Sequence, residues 1–153
     1  MSPALLFSLV AVVAYSALLV IVFRRGLGLR VHQLFALYLG SMLLWQASYI
    51  IVSLSRTVQT ALLGYQLSSA AATAQFILFA FFVRALLRIR ERPLFVAVGF
   101  LIWLTTSLAA LTDRAHFIAG IQRSPVTGLF VPEYGPLIGL VAASTLTFLG
   151  VGV

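Results

Sequence analysis

The sequence predicts an all-α fold, a polytopic bundle of about five membrane-spanning helices. The chain has 153 residues, of which 62% are hydrophobic and 8% are charged, and its mean hydropathy is +1.12. Soluble domains carry about 25% charged residues, so this chain has too few to cover its surface in water. The apolar residues also fall into runs of the length that a bilayer requires, and arginines gather at the ends of these runs.

Five apolar runs define the expected spans, all within one transmembrane domain. A helix needs about 20 apolar residues to cross the hydrocarbon core. The first run has no basic residue before it and has that length, so it resembles a spanning helix rather than a cleaved signal peptide. Pro93 is expected to open the fourth span, because proline suits the first position of a helix. The predicted spans are 4–23, 31–54, 58–87, 93–111 and 136–153.

The distribution of arginines predicts the orientation in the membrane. The first and third loops hold seven of the ten arginines, whereas the second and fourth hold three. Loops rich in arginine stay in the cytoplasm, so we expect the N-terminus outside the cell, the C-terminus in the cytoplasm and the chain in the bacterial inner (plasma) membrane. The residues expected to anchor the cytoplasmic face to lipid are Arg24, Arg25, Arg84, Arg88, Arg90 and Arg92.

Two alternative roles for the arginines after the third span, voltage sensing and nucleic-acid binding, are disfavoured. Arg84, Arg88 and Arg92 are four residues apart, which predicts one stripe on a helix. A voltage sensor would carry arginines every third residue through the span, whereas these lie only at its exit. The net charge of +7 would suggest nucleic acid in a soluble protein. Beside apolar runs it favours anionic lipid head groups, so nucleic acid is not an expected partner.

The ionisable residues do not predict a catalytic, cofactor-binding or metal-binding site. The chain has no cysteine, which excludes thiol chemistry and disulfides. In the predicted topology His32 and His116 lie on opposite sides of the membrane, and Glu91 lies opposite Asp113 and Glu133. None of the three carboxylates lies within a span, which disfavours an ion-coupled pump.

A weakly polar face on the third span leaves two interpretations open. Gln66, Ser69 and Thr73 recur at spacings of three and four, so they share one helix face. They could form hydrogen bonds between helices, or they could line a small-molecule pocket that opens outward, with Trp45 and Tyr49 as its aromatic walls.

The fourth loop, Thr112 to Gly135, is the longest connection, and we expect it to fold over the membrane surface as a short hairpin or a re-entrant turn. His116 lies near Asp113 in the sequence. It could respond to pH, contact a ligand or be a solvated loop residue.

From Trp45 onward, the chain resembles the N-terminal seven-helix membrane sensor region of prokaryotic histidine kinases and related diguanylate cyclases. The resemblance rests on Trp45 in the second span and on FILFAFF, Phe76 to Phe82, before a basic turn. It also rests on LTDRAH, Leu111 to His116, and on EYGPLIGL, Glu133 to Leu140. The chain departs from that family before the histidine, where Arg114 and Ala115 replace a pattern that often includes proline.

This resemblance implies a sensor module that relays an external or membrane signal to a cytoplasmic kinase or cyclase domain. Only five of seven helices are present, and FLGVGV at the end lacks an interfacial anchor, so we expect a fragment of a larger signalling protein; the alternative is a five-span protein with a short tail. The chain itself holds no catalytic motif and needs no cofactor, and a homodimer is compatible with this role. The expected ligand region comprises Trp45, Tyr49, Gln66, Asp113, His116 and Tyr134.

Two other classes of function remain open. A small transporter subunit or membrane assembly and scaffold protein would have its helix bundle completed by a partner chain. An integral membrane enzyme acting on lipids would need Asp113 or His116 for its activity, but no motif in the sequence indicates one.

Overall fold

A computed structural model describes residues 3–90, 92–112, 118–125 and 128–152 of the chain. The protein is all-α, with 79% of the described residues in five helices, and one short hairpin interrupts the helical order. The elements in chain order are α1 (Pro3–Arg25), α2 (Arg30–Leu54), α3 (Val58–Leu86), α4 (Pro93–Thr112), β1 (Ile118–Arg123), β2 (Phe130–Tyr134) and α5 (Leu137–Gly152).

Four of the helices, α1 to α4, are long and apolar enough to cross a membrane. They indicate a membrane protein and match the first four predicted spans to within a few residues. The fifth predicted span, 136–153, contains a shorter helix. Its described residues, Leu137–Gly152, number 16 and extend over about 24 Å.

Short connections make consecutive helices antiparallel. α1 ends where Gly26 adopts a φ of +85°, a left-handed conformation that glycine reaches without strain, and its N–H donates to the Phe23 carbonyl at 3.1 Å. α3 begins after Thr57, whose Oγ1 accepts a hydrogen bond from the Thr60 N–H at 3.3 Å and so caps the helix. The segments 26–29 and 87–90 consequently lie at one end of the bundle, which we call the arginine end. The opposite end, which carries β1 and β2, is called the hairpin end.

The most extensive helix contact joins α2 and α3. Near the hairpin end, Gly64 lets the backbones approach so closely that an added Cβ atom would lie 3.1 Å from the Ser48 carbonyl oxygen. Small residues allow this close packing between membrane helices. Near the arginine end, the ring of Phe35 stacks on that of Phe82 with their centroids 5.1 Å apart. α2 and α3 thus form an antiparallel pair held along its whole length.

The predicted helical stripe of Arg84, Arg88 and Arg92 is wrong, because α3 ends at Leu86. Arg88 has a φ of 58°, and the Ile89 N–H donates to the Arg84 carbonyl at 2.9 Å. This is the pattern with which a left-handed residue closes a helix. Arg84 alone of the three belongs to a helix, while Arg88 and Arg92 lie in the turn before α4.

α4 begins at Pro93, as predicted, and packs on α3 together with α5. Three phenylalanines join these helices near the arginine end: the Phe95 and Phe148 rings stack with centroids 4.4 Å apart, and Phe81 meets Phe148 edge-on at 6.1 Å. Gly99 leaves the space for this cluster, since an added Cβ atom would lie 2.9 Å from Phe148.

The loop from Thr112 to Gly135 contains an antiparallel hairpin, in agreement with one of the two forms expected for it. β1 pairs with β2 from Ile118 opposite Tyr134 to Arg123 opposite Phe130, with an irregularity next to Gly120. One face of the hairpin is apolar: Ile118 is buried against Ala110 of α4, with residues of α3 and α5 around them. The hairpin therefore covers the ends of three helices.

Candidate functional site

A groove of about 360 Å³ runs between α3 and α5 beneath the hairpin. Its size is at the lower end of the range of about 300–1,000 Å³ for small-molecule sites. Most of the wall is apolar, with a few hydroxyl groups, and α2 contributes one aromatic side chain. The residues that line it are Trp45, Ser68, Ser69, Ala72, Thr73, Phe76, Tyr134, Ile138, Val141, Ala142, Thr145, Leu146 and Leu149.

α5 contacts the rest of the bundle chiefly at two places. At the hairpin end, its residues Leu137, Ile138 and Val141 pack around Ala110 and Ile118. At the arginine end, Phe148 is buried in the phenylalanine cluster. The groove runs along α5 from Ile138 to Leu149 and shares wall residues with both contacts, so a molecule that enters it presses on the face of α5 that packs on the bundle.

The Ser69 and Thr73 hydroxyl groups line the groove as hydrogen-bond acceptors. The Ser69 Oγ donates to the Tyr65 carbonyl at 2.9 Å, and the Thr73 Oγ1 donates to the Ser69 carbonyl at 3.0 Å. Because each hydroxyl hydrogen bonds to its own helix, these two groups make no hydrogen bond between helices. Their oxygens can still accept a hydrogen bond from a ligand. The groove therefore suits a largely apolar molecule that carries one or two donors.

The structure brings together only some of the residues expected to bind a ligand. Trp45 and Tyr134 both line the groove, with Ser69 and Thr73 from the predicted polar face. Tyr49 does not line it but lies close to Tyr65. Gln66, with 5% of its surface exposed, is buried among the helices and is not a wall residue. Asp113 and His116 lie outside the described residues.

Tyr134 is the last residue of β2, just before α5, and lies at the edge of the groove nearest the hairpin end. Its side chain is 55% exposed, and partial burial raises its pKa above the ordinary value of 10.0. The phenol is therefore neutral at physiological pH and can donate a hydrogen bond to a molecule in the groove.

The Tyr65 side chain joins α3 to the hairpin by a hydrogen bond. The Tyr65 hydroxyl donates to the Phe130 carbonyl at 2.7 Å, and Phe130 itself is buried. This bond satisfies a phenol in an apolar setting and fixes β2 over the start of the groove.

Tyr65→Phe should loosen the hairpin without unfolding the helices. The change removes one hydrogen bond, worth about 1 kcal/mol, and leaves the ring in place. We expect amide hydrogen exchange to accelerate about fivefold in β1 and β2 and to stay unchanged in α2. Tyr49→Phe, which removes a hydroxyl from the neighbouring helix, is the matched control. Equal exchange in both variants would contradict the tether.

Within the described residues, no three histidine, cysteine, aspartate or glutamate side chains lie together. His32 is at the arginine end, where its Nδ1 lies 2.9 Å from the Gly26 carbonyl oxygen. Glu133 is on the hairpin and accepts a hydrogen bond from Gln122. The groove offers hydrogen-bonding and apolar contacts rather than acid–base groups.

Most of the groove could not be identified from the sequence. Val141, Ala142 and Leu149 are apolar residues of an apolar helix, and nothing in their pattern separates a groove wall from a lipid-facing surface. The hydroxyls of Ser68 and Thr145 were the available signal, because they lie within apolar runs.

Comparison of the chain with protein-family models, with curated proteins and with solved structures finds no match. The resemblance to the sensor region of histidine kinases stays a prediction.

Proposed function

We propose that this chain is the membrane-embedded sensor module of a bacterial signal-transduction protein and relays an external or membrane signal to a cytoplasmic output domain. The observation that carries the proposal is the groove between α3 and α5, closed over by a tethered hairpin. Such a cavity can receive a small apolar ligand or a lipid-borne signal. The module itself performs no catalysis in this role.

The proposed orientation puts the hairpin end outside the cell and the arginine end in the cytoplasm. It is supported by the seven arginines of the two loops at the arginine end, against three in the other loops. α5, whose described residues run from Leu137 to Gly152, then serves as a fifth span. The inner membrane of a bacterium is the proposed location.

The proposed relay runs along α5. A ligand between Ser69 or Thr73 and the α5 wall would push the middle of α5 away from α3. Phe148 would transmit that movement into the phenylalanine cluster at the arginine end, because a packed aromatic cluster repacks rather than deforms continuously. The next part of a longer chain, on the cytoplasmic side, would receive the change in the position of α5.

The reading frame that follows the codon for Val153 in the genome tests the proposal. We expect it to continue in frame through further membrane helices into a kinase or cyclase domain. A stop codon there, together with a membrane partner that copurifies in fixed stoichiometry, would contradict the sensor role and support a subunit or scaffold of a membrane assembly.

A further inference from the structure

A second groove opens at the arginine end and differs in chemistry from the first. It has a volume of about 1250 Å³ and lies between α4 and α5. Three arginines surround its mouth, and its walls are mostly apolar. The residues that line it are Arg84, Ile89, Arg90, Arg92, Pro93, Leu94, Phe95, Val98, Ile102, Ser144, Thr147 and Phe148.

We propose that this groove is a binding site for one anionic glycerophospholipid, with its phosphate among Arg84, Arg90 and Arg92 and an acyl chain between α4 and α5. The inference concerns a different groove from the proposed sensor site and does not depend on the sensor role.

The guanidinium of Arg84 is held in place at the mouth of the groove. Its Cζ lies 4.6 Å from the centre of the Phe95 ring, a distance at which a cation is attracted to the face of an aromatic ring. Its Nη2 donates to the Arg90 carbonyl at 3.4 Å. A charged group positioned in this way loses less entropy when it binds a phosphate than a free surface arginine does.

The charge around the mouth favours an anion. Among the residues that the structure describes, the only carboxylate belongs to Glu133, on the hairpin at the other end of the bundle. Glu91 lies in the same turn of the sequence and outside the described residues. If the negative charge of Glu91 is included, the four arginines from Arg84 to Arg92 still give this segment a net positive charge. The positive end of the α4 dipole, at Pro93, adds to the attraction.

The walls of the groove favour a lipid over a free anion. From Pro93 to Ile102, α4 rises by about 14 Å, which is close to the depth of one leaflet of the hydrocarbon core. Phe95, Val98 and Phe148 present apolar surface along this path. A soluble phosphate would leave that surface unused, whereas an acyl chain would cover it while the head group stays at the arginines.

Titration of the detergent-solubilised full chain with dioleoylphosphatidylglycerol, read by native mass spectrometry, tests the site. We expect one tightly bound lipid and weaker binding of dioleoylphosphatidylcholine. The double variant Arg90→Gln, Arg92→Gln should lower the affinity about tenfold, since it removes charge-assisted hydrogen bonds worth about 1.5 kcal/mol or more. Both side chains are exposed, and Arg84, which packs on Phe95, is left intact.

The matched control is Arg24→Gln, Arg25→Gln, which removes the same charge from the same end of the bundle, at the end of α1. These two arginines are expected to contact the head groups of the surrounding bilayer, which is absent in detergent, and they do not line the groove. A single-charge control, Arg88→Gly, keeps every residue of the groove and replaces a left-handed arginine with a residue that tolerates that φ. Both controls should bind the lipid nearly as well as the unaltered protein. Equal losses in both double variants, equal binding of the two lipids, or displacement of the lipid by excess inorganic phosphate would overturn the proposal.

Discussion

Replacing Gly64 with leucine should separate α2 from α3 and destabilise the bundle by about 3 kcal/mol. A Cβ atom at this position would lie 2.6 Å from Cγ2 of Val52, 3.1 Å from the Ser48 carbonyl oxygen and 3.3 Å from the Val52 backbone nitrogen. Two of these neighbours are backbone atoms of α2, so rotation of a side chain cannot relieve the overlap. The helices themselves would have to move apart, which would disrupt their packing towards Phe35 and Phe82 as well.

Thermal unfolding in detergent, followed by circular dichroism, measures this effect. Gly40→Leu on α2 is the matched control, because an added Cβ atom there has no neighbour within 4 Å. In that open position the leucine should keep or slightly raise the stability, since glycine is a poor helix former. If both variants unfolded at the same temperature, the close approach of α2 and α3 at Gly64 would be contradicted.

Phe148→Ala should release α5 at the arginine end and cost about 2 kcal/mol. Phe148 is 5% exposed and pairs with two rings, Phe95 and Phe81. Each aromatic pair contributes about 0.5–1.5 kcal/mol beyond burial. Because lipid tails are as apolar as the protein interior, the loss comes mainly from packing rather than from transfer to water.

Hydrogen exchange by the amides of α5 reports this release locally. We expect faster exchange along α5 in Phe148→Ala, with α2 and the start of α3 unaffected. Leu146→Ala on the same helix is the control, since Leu146 is 67% exposed and lies outside the phenylalanine cluster. Equal exchange rates in the two variants would show that Phe148 does not anchor α5.

The helical framework could be predicted from the sequence because its signals are local. Long apolar runs need helices in lipid, where every backbone N–H and C=O group must be satisfied within the segment. Arginines and glycines after Phe23, and Pro93 before the fourth run, mark where helices end or begin. The structure agrees at these points, and α4 begins at Pro93.

The features that could not be predicted have an ambiguous pattern in the sequence or depend on contacts between distant residues. Arginines four residues apart have the same pattern in the sequence whether the helix continues or ends. The end of α3 and the turn at Arg88 are set by backbone hydrogen bonds around Leu86. A hairpin was one of the two forms expected for its loop, but its tether to α3 could not be predicted, because the Tyr65 hydrogen bond joins residues 65 positions apart in the sequence.

The residues of the candidate site could be predicted only where they are aromatic or carry a hydroxyl group within an apolar segment. Trp45, Ser69, Thr73 and Tyr134 are aromatic or hydroxyl residues at membrane or interface depth, and the structure brings them to one groove. Gln66 has the same polar character, but it is buried away from the groove wall. Helix periodicity places residues on a face without showing which neighbour that face meets, so the α5 wall could not be predicted.

The sensor role depends most directly on which end of the bundle faces the outside of the cell. The absence of native cysteine allows single cysteines to report this without background. Pro125→Cys places a thiol in the exposed turn of the hairpin, and Gly28→Cys places one in the exposed loop at the arginine end, where an added Cβ atom has open space. A membrane-impermeant maleimide applied to intact bacterial spheroplasts distinguishes the two positions.

We expect the maleimide to label Pro125→Cys in intact spheroplasts and Gly28→Cys only after the membrane has been permeabilised. That result would place the hairpin outside and the arginine end in the cytoplasm, as required for a groove that receives an external signal and an α5 that passes it inward. The reverse labelling pattern would turn the hairpin end towards the cytoplasm and contradict the proposed sensor.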